Sequence, residues 1–480
     1  MIQRITLAEG LDISRAVTGL WQIADLERNG NTLDPDKTSQ FMTPYAQAGF
    51  TSFDMADHYG SSEIIAGTFK KKYPKPVQLF TKWVPAPGAV SKEDVRRAVM
   101  LALKRMQSDR IDLMQFHAWS YADPRWLDCL FWLQELKHEG LIAHLGLTNF
   151  DTAHLRIVLR SGIQVVTNQV CFSLLDQRAS QAMTEFCIKE NVKLLAFGTL
   201  GGGFLTERWL NKPEPKPEEL TTWSQMKYKR FIDACGGWGK FQELLATLDS
   251  IAKEHNVSIA LIASRFILDQ PAVGAVILGS RLGHSDHIKE DEKLFSFKLT
   301  ESNIWLIHQR LATLDQIPGD CGDEYRKPPF LTASGDLSHH VKSFPAPYPC
   351  HDGKDGRSKA LSGTVWEDVA GFSRAVRRGN RILVSGTTAT HGQHAIGGSD
   401  PAAQAHFVID KLEGAIQSLG GRLDDVVRTR IFIRNINDWE VTARVHGERF
   451  KDIQPANTMV RVDLIGDEYL VEMEAEAIVE

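Results

Sequence analysis

Residues 50–63, FTSFDMADHYGSSE, decide the fold. The first five, FTSFD, set two phenylalanines and a β-branched threonine in a run of strand length, and the chain then breaks into polar residues and glycine. The same design recurs along the first part of the chain. Candidate strands fall at 14–18 (SRAVT), 77–81 (VQLFT), 111–116 (IDLMQF), 142–147 (IAHLGL), 163–168 (IQVVTN), 192–197 (VKLLAF) and 273–278 (VGAVIL). Helical patterns separate them. The clearest begins at Ser91, where Ser91 and Asp94 make a capping-box signature, and Val95, Ala98, Val99, Ala102 and Met106 recur at helical spacing. Eight strands alternating with helices over about 300 residues predict an α/β fold of the (β/α)8 TIM-barrel type. The rival is a doubly wound open sheet. Its GxGxxG phosphate fingerprint is absent, as is the P-loop.

Composition sets the outer bounds. At 480 residues the chain exceeds one ordinary domain, and 43% hydrophobic residues suffice for a large core. Lys plus Arg number 55 against 60 Asp plus Glu, a formal net charge of −5, which argues against binding nucleic acid through its phosphates. No run approaches the roughly 20 apolar residues of a membrane span, so no membrane partner is expected. The start, MIQRITLAEGLDISR, lacks the apolar core of a secretion signal. Six cysteines are scattered without a CxxC, so neither a disulfide scaffold nor a cysteine zinc site is indicated, and a reducing, cytoplasmic setting is expected. Residues 319–362 are rich in Pro, Gly, Ser and charge without periodicity, and read as a solvated linker. His339, His340, Cys350 and His351 lie in it without ligand spacing, so no metal is expected. The division is a barrel over 1–318, a linker over 319–362 and a second domain over 363–480.

In a barrel of this kind the chemistry gathers at the carboxyl ends of the strands. Reading those ends in order gives Gly19-Leu20-Trp21, then Asp54 and Tyr59, then Lys82, His117, Thr148-Asn149, Gln169, Phe197-Gly198 and Gly279-Ser280-Arg281. Taken singly, each reads as an ion pair, rim packing or a satisfied polar residue. Together, one acid, one phenol, one amine and one imidazole on one rim suit proton transfer to a carbonyl oxygen. A phenol with a pKa of about 10 is a poor donor or acceptor near neutrality. A nearby ammonium is expected to lower it, a carboxylate to hold that ammonium, and an imidazole to orient the substrate oxygen. No strong nucleophile is present, which favours hydride chemistry with a borrowed reductant over hydrolysis. The long segment 198–240, with its GGG and PEPKP runs and Trp209, Trp223 and Trp238, reads as a lid or binding loop.

The runs GLWQ, FDMADHYGSSE, TKW, FHAW, GLTNF, NQV and ILGSR, in this order over residues 1 to about 315, resemble the aldo-keto reductase family. The resemblance implies a catalytic tetrad of Asp54, Tyr59, Lys82 and His117, with Tyr59 as general acid/base. It implies that Thr148, Asn149 and Gln169 hold the nicotinamide carboxamide, and that Phe197 stands where the family usually has a ring-stacking tyrosine. Gly279, Ser280 and Arg281 match the segment that meets a 2′-phosphate, which favours NADP (NADPH) over NAD. The same groove is expected to take in Gly19, Leu20, Trp21, Asp54, Gly198, Leu200 and His287, and Asp291 at the place of an adenine-contacting asparagine. Trp21, Trp83 and Trp119 are expected to line the pocket of a small carbonyl or alcohol substrate.

From residue 363 the pattern changes. RILVSGTTA (381–389) reads as a strand, Asp400-Pro401 as a helix start, VVRTRIFIRN (426–435) as a strand and 439–450 as a helix, followed by NTMVRVDLI and YLVEMEAEAIVE as the final strands. This is a smaller α+β layer with two helices on one face of a sheet. The runs ILVSGTTA, LDDVVRTRIFI, PANTMVRV and VEMEAEAIV resemble the Rid (YjgF-type, reactive intermediate deaminase) family, with its chorismate-mutase-like fold. The resemblance implies a homotrimer with clefts between subunits, and cleft positions Gly386, Asn457 and Glu472; Arg461, four residues after Asn457, is expected on the same strand face by alternation, as a cleft residue or a solvated arginine. Asn457 stands where the family's active members carry an arginine, and an uncharged amide cannot clamp a carboxylate as arginine does. The expected function is NADP-dependent interconversion of a carbonyl compound and its alcohol, with an oligomerising or ligand-binding C-terminal module. The alternatives are a cofactor-binding redox sensor without efficient turnover, and a bifunctional reductase and imine deaminase.

Overall fold

The computed structural model describes all residues except 26, 28, 29, 285, 286 and 354. An antiparallel hairpin, β1 (Arg4–Ala8) and β2 (Leu11–Ser14), opens the chain. Eight parallel strands follow: β3 (Ala16–Gly19), β4 (Ser52–Asp54), β5 (Gln78–Trp83), β6 (Ile111–Phe116), β7 (Ile142–Thr148), β8 (Thr167–Cys171), β9 (Lys193–Phe197) and β10 (Val273–Gly279). They close in sequence order, β10 returning to β3 with Gly279 opposite Gly19. Strands covered on both faces tend to near-continuous apolar runs, as in β9 (KLLAF) and β10 (VGAVILG), which is why the sequence shows those so plainly.

The hairpin plugs one end. Its Leu7, Leu11 and Ile13 pack with Val17, Phe80, Leu113, Leu195 and Ala275 inside the barrel. This leaves the carboxyl end of the strands to hold a site. The strand expected at 163–168 begins later, at Thr167, because the amide of Ile163 is spent on the carbonyl of Val158 in closing the preceding helix. The helix expected from Ser91 runs Lys92–Met106, with both bonds of the Ser91–Asp94 capping box formed.

The second sheet is built from β11 (Cys350–Asp352), β12 (Arg357–Ala360), β13 (Ala375–Arg378), β14 (Arg381–Thr388), β17 (Val426–Ile433), β18 (Ala456–Arg461) and β19 (Val471–Ile478), with β15 (Thr390–His391) and β16 (His394–Ala395) as a side hairpin. The strand order is β11-β12-β13-β14-β19-β17-β18. Two helices, Pro401–Ser418 and Trp439–Phe450, belong to this layer, and Asp400 caps the first by accepting from the amides of Ala402 and Ala403. The helix Pro401–Ser418 is buried along most of its length, between its own sheet and the barrel helix Thr152–Arg160. Across this interface Arg156 and Arg160 both bond Asp400, His391 pairs with Asp128, and His394 stacks on Phe131 at 4.3 Å.

The segment 319–362 departs from the expected solvated linker. Its last part supplies β11 and β12, so the second sheet starts at Cys350 rather than 363. Its first part lies on the barrel, with Cys321, Asp323, Glu324, Leu331, Thr332, Val341 and Tyr348 buried. Individual side chains anchor it. Glu324 accepts from Arg178 at 2.8 Å, and the Tyr325 hydroxyl accepts from Lys227 at 2.7 Å. Such contacts follow no period, so a periodicity reading passes over them.

Candidate active site

Asp54, the last residue of β4, is the hub of the rim. One carboxylate oxygen lies 2.6 Å from Lys82 Nζ, and the other accepts from Gln115 Nε2 at 3.1 Å and Gln169 Nε2 at 2.8 Å. Lys82 also donates to the carbonyl of Met55 at 2.8 Å. Asp54, Lys82, Gln115 and Gln169 are all buried and come from β4, β5, β6 and β8. Burial draws the Lys82 ammonium below the ordinary lysine range, against the pull of Asp54.

Tyr59 follows on the loop after β4, with Lys82 Nζ 5.1 Å from its ring centre. Here the electrostatics reverse the expectation from sequence. Burial, and after it the Asp54 charge, push the phenol well above its ordinary value. The Lys82 ammonium is spent on Asp54 and the Met55 carbonyl. Tyr59 therefore keeps its proton at neutral pH, the state a proton donor needs.

His117 follows β6 and is 2% exposed. Its Nδ1 lies 3.4 Å from the carbonyl of Thr148, too long to fix one tautomer, and its Nε2 is buried without a partner among the described residues. Burial, and then the charge of Arg326, hold the imidazole well below the ordinary histidine range, so it is neutral.

Further round the rim, Asn149 takes a left-handed backbone conformation (φ 59°), and its side-chain Oδ1 is buried without a partner among the described residues. Thr148 Oγ1 donates to the Gln169 carbonyl at 3.2 Å. The Gln169 side-chain amide faces Asp54 and Gln115. Phe197 is half-buried, with the Lys227 ammonium 5.1 Å from its ring centre. Three glycines are fixed by close approach. A Cβ on Gly198 would come within 2.2 Å of the Tyr228 hydroxyl, on Gly279 within 2.3 Å of Gln22, and on Gly19 within 2.8 Å of Ile277. Leu20 is buried, and half-buried Leu200 turns the chain by accepting from the amides of Gly203 and Leu205. Ser280 is buried and bonds the Tyr45 hydroxyl at 2.9 Å, whereas Arg281 is exposed and makes no ion pair among the described residues. His287 precedes the short helix Ile288–Glu292, and burial pushes Asp291 on that helix up to about 7.

The tryptophans divide. Trp21 stands edge-on to Tyr59 at 5.0 Å and donates to Ser224 Oγ, and Trp119 lies 4.4 Å from His117. Trp83 is buried against Phe116 in the barrel wall, so it is not brought to Tyr59 and His117 with the other two. In the long segment after β9, Trp209 and Trp238 pack on Phe204, while Trp223 reaches His339 at 4.5 Å. Sequence reasoning passed over Gln115, Tyr325 and Arg326. Gln115 carries a signal, a lone amide inside an apolar strand. Tyr325, whose ring lies 5.7 Å from that of His117, and Arg326 carry none.

In the C-terminal sheet the expected cleft residues split. Gly386 on β14 and Glu472 on β19 are close enough that a Cβ on Gly386 would meet the Glu472 carboxylate at 2.1 Å. Asn457 and Arg461 lie on the edge strand β18, two strands from β19 and so about 10 Å away. Asn457 donates to Thr429 Oγ1 at 2.9 Å. Arg374, also passed over, donates to the Gly386 carbonyl and to Thr387 Oγ1, each at 2.8 Å. Among the described residues no group of three or more His, Cys, Asp or Glu is placed to hold a metal, and no helix is long and apolar enough to cross a membrane.

The structure is thus a closed eight-stranded parallel barrel that carries Asp54, Tyr59, Lys82 and His117 at its carboxyl rim. The Aldo/keto reductase family model matches residues 16–311, more than half of the chain, and the chain belongs to that family. The Endoribonuclease L-PSP model matches residues 365–479, so a YjgF-type domain is fused behind the barrel. The chain is 28% identical over 280 residues to Protein tas of Escherichia coli, covering 53% of this chain and 77% of that one. Its C-terminal part is 36% identical over 120 residues to an uncharacterized protein of Streptomyces coelicolor, covering 25% of this chain and 90% of that one. The solved structure of a glycerol dehydrogenase from Gluconobacter oxydans shares the fold, with a TM-score of 0.54 at 21% identity over 67% of this chain and 97% of that one.

Proposed function

We propose that this chain is an NADP-dependent oxidoreductase that interconverts a carbonyl compound and its alcohol, with Tyr59 as the proton-transferring group. The observation that carries this reading is the Asp54 hub. It ties three strands beside its own into one buried network, with Tyr59 and His117 on the same rim.

The residues present fit a nicotinamide cofactor. Asn149 Oδ1 is a buried acceptor without a partner among the described residues, Phe197 offers a ring at the end of β9, and Gly19 and Gly279 leave no room for side chains between β3 and β10. Thr148, Asn149 and Gln169 would hold the carboxamide. Gly279, Ser280 and exposed Arg281 would meet the 2′-phosphate, which a guanidinium can bind bidentately. When bound, the cofactor supplies the hydride. In the reducing direction Tyr59, kept protonated by burial, passes its proton to the substrate oxygen. Lys82 and Asp54 stand behind it as a balanced ion pair, and neutral His117 presents Nε2 to the same oxygen. Trp21 and Trp119 bound the space in front of Tyr59 and His117 and suit an apolar or ring-bearing substrate. For the C-terminal module we propose assembly of copies, as a homotrimer. Its sheet exposes Leu383, Val427, Val460 and Ile478, which supports an assembly face, and the uncharged Asn457 speaks against imine deamination.

The test is NADPH oxidation with a panel of aldehydes, ketones and sugars, comparing the natural chain with Tyr59→Phe. The reading expects turnover in the first and a loss of about 10²–10⁴-fold in the second. Equal rates would remove Tyr59 from the chemistry, and tight NADPH binding without turnover by the natural chain would favour a redox sensor.

A further inference from the structure

One guanidinium ties the main chain behind His117 to the main chain of Asn149. Arg326 Nε and Nη2 donate to the carbonyl of Ala118 at 3.1 and 2.5 Å, and Nη1 donates to the carbonyl of Asn149 at 2.6 Å. The segment reaches this place only by way of Gly322, where a Cβ would lie 2.0 Å from the Asn149 carbonyl oxygen. A planar fork with donors on several edges can serve two strand ends at once, whereas a lysine would serve one.

The guanidinium is itself held from behind. Its carbon lies 4.2 Å from the ring centre of Tyr121, and Tyr121 stacks on His154 at 3.3 Å with 7° between the rings. The His154 ring bridges two carboxylates, Asp151 of the barrel at 2.6 Å and Asp410 of the C-terminal module at 2.9 Å. The other oxygen of Asp410 accepts from Arg449 at 2.6 Å. A continuous chain of buried and half-buried contacts thus runs from the C-terminal helix Pro401–Ser418 to the strand ends that carry His117 and Asn149.

We propose that Arg326 is a positioning residue for the chemistry at His117 and Asn149, and that the C-terminal module holds it in place through Asp410, His154 and Tyr121. This rests on the reductase reading above, and it gives the fused module a part in the barrel's catalysis. Reacting groups displaced by about 1 Å can cost about 10²-fold in rate, so two strand ends freed from a shared clamp should show mainly in kcat. The charge adds a second consequence. The cationic or titratable groups facing His117 include Arg326, His58, His340 and the Tyr325 phenol, with the Trp119 ring beside it. Removing the Arg326 guanidinium makes His117 easier to protonate, so the acid limb of the pH–rate profile should move to higher pH.

The experiment uses the full chain as Arg326→Met, Arg326→Lys and Asp410→Asn. It reads kcat and KM for the best carbonyl of the panel, the dissociation constant of NADPH from its fluorescence, and the pH profile. Arg326→Met should lose about 10²-fold in kcat with KM little changed, bind NADPH more weakly and shift its acid limb upward. Arg326→Lys should recover part of kcat, and Asp410→Asn should show a smaller loss in the same direction. A folded Arg326→Met with the natural chain's kcat, NADPH affinity and pH profile would overturn the proposal. Should that variant not fold, a soluble Arg326→Lys indistinguishable from the natural chain would do the same. If the natural chain turns over no carbonyl, the reductase reading fails by itself, and unchanged NADPH affinity in the Arg326 variants then overturns the clamp.

Discussion

The barrel rim and the C-terminal sheet both end their strands on polar residues, but they dispose of them differently. At the rim, Asp54 alone touches side chains from three other strands, because closing the barrel turns every strand end toward one axis. In the open sheet, Glu472 lies against Gly386, while Asn457 sits two strands away and spends its amide on Thr429. The guanidinium of Arg374, beside Gly386, is used on a main-chain carbonyl and a threonine hydroxyl. A closed barrel can therefore assemble a site within one chain. A sheet whose candidate residues stand on separated strands needs a second surface to complete one. The difference supports catalysis at the rim and assembly at the sheet.

The largest effect that could break this contrast is carbonyl turnover surviving Tyr59→Phe, where a loss of about 10²–10⁴-fold is expected. Next in size is Arg281→Ala. A hydrogen bond to a charged partner is worth about 1.5–3 kcal/mol, so NADPH affinity should fall by roughly tenfold to a hundredfold, while NADH affinity should hold. An equal loss for both cofactors in a binding titration would remove Arg281 from the 2′-phosphate.

The smallest effect concerns the joint between the two regions. The flanking carboxylates Asp151 and Asp410 raise His154 above its ordinary range, against the pull of burial, and both carboxylates are themselves lowered. A raised histidine stabilises the fold fully below its unfolded pKa of about 6.5, and that contribution is lost as pH climbs through the folded value. The lowered carboxylates stabilise above their unfolded value of about 3.9 and lose this as pH falls through their folded values. The thermal midpoint should therefore decline as pH rises above about 6.5, and His154→Asn should flatten that decline. Each unit of pKa difference is worth about 1.4 kcal/mol. A decline of equal slope in both proteins would place the titrating group elsewhere.

The barrel was legible because most of its parallel strands write themselves as short apolar runs, though β8 (TNQVC) does not, and the rim residues because they lie at or shortly after the ends of those runs. What the sequence hid was partner choice. Tyr59 and Lys82 announce themselves, but only the fold shows that Lys82 is already committed to Asp54 and Met55, and that burial, with Asp54 after it, pushes the Tyr59 phenol up. Trp83 follows Lys82 directly, and strand alternation turns it into the wall instead of the pocket. Residues 319–348 were illegible for another reason. They owe their position to single anchors such as Glu324, Tyr325 and Arg326 rather than to a repeating apolar face, and composition alone makes such a stretch look like solvent-exposed chain.

The most direct measurement of the rim chemistry is the fate of deuterium carried at both hydrogen positions of C4 of the reduced nicotinamide. With an aldehyde from the panel, the natural chain should deliver one deuterium to the carbinol carbon of the alcohol for each NADPH oxidised. NADPH bound at the barrel with no deuterium in any product would contradict hydride transfer there.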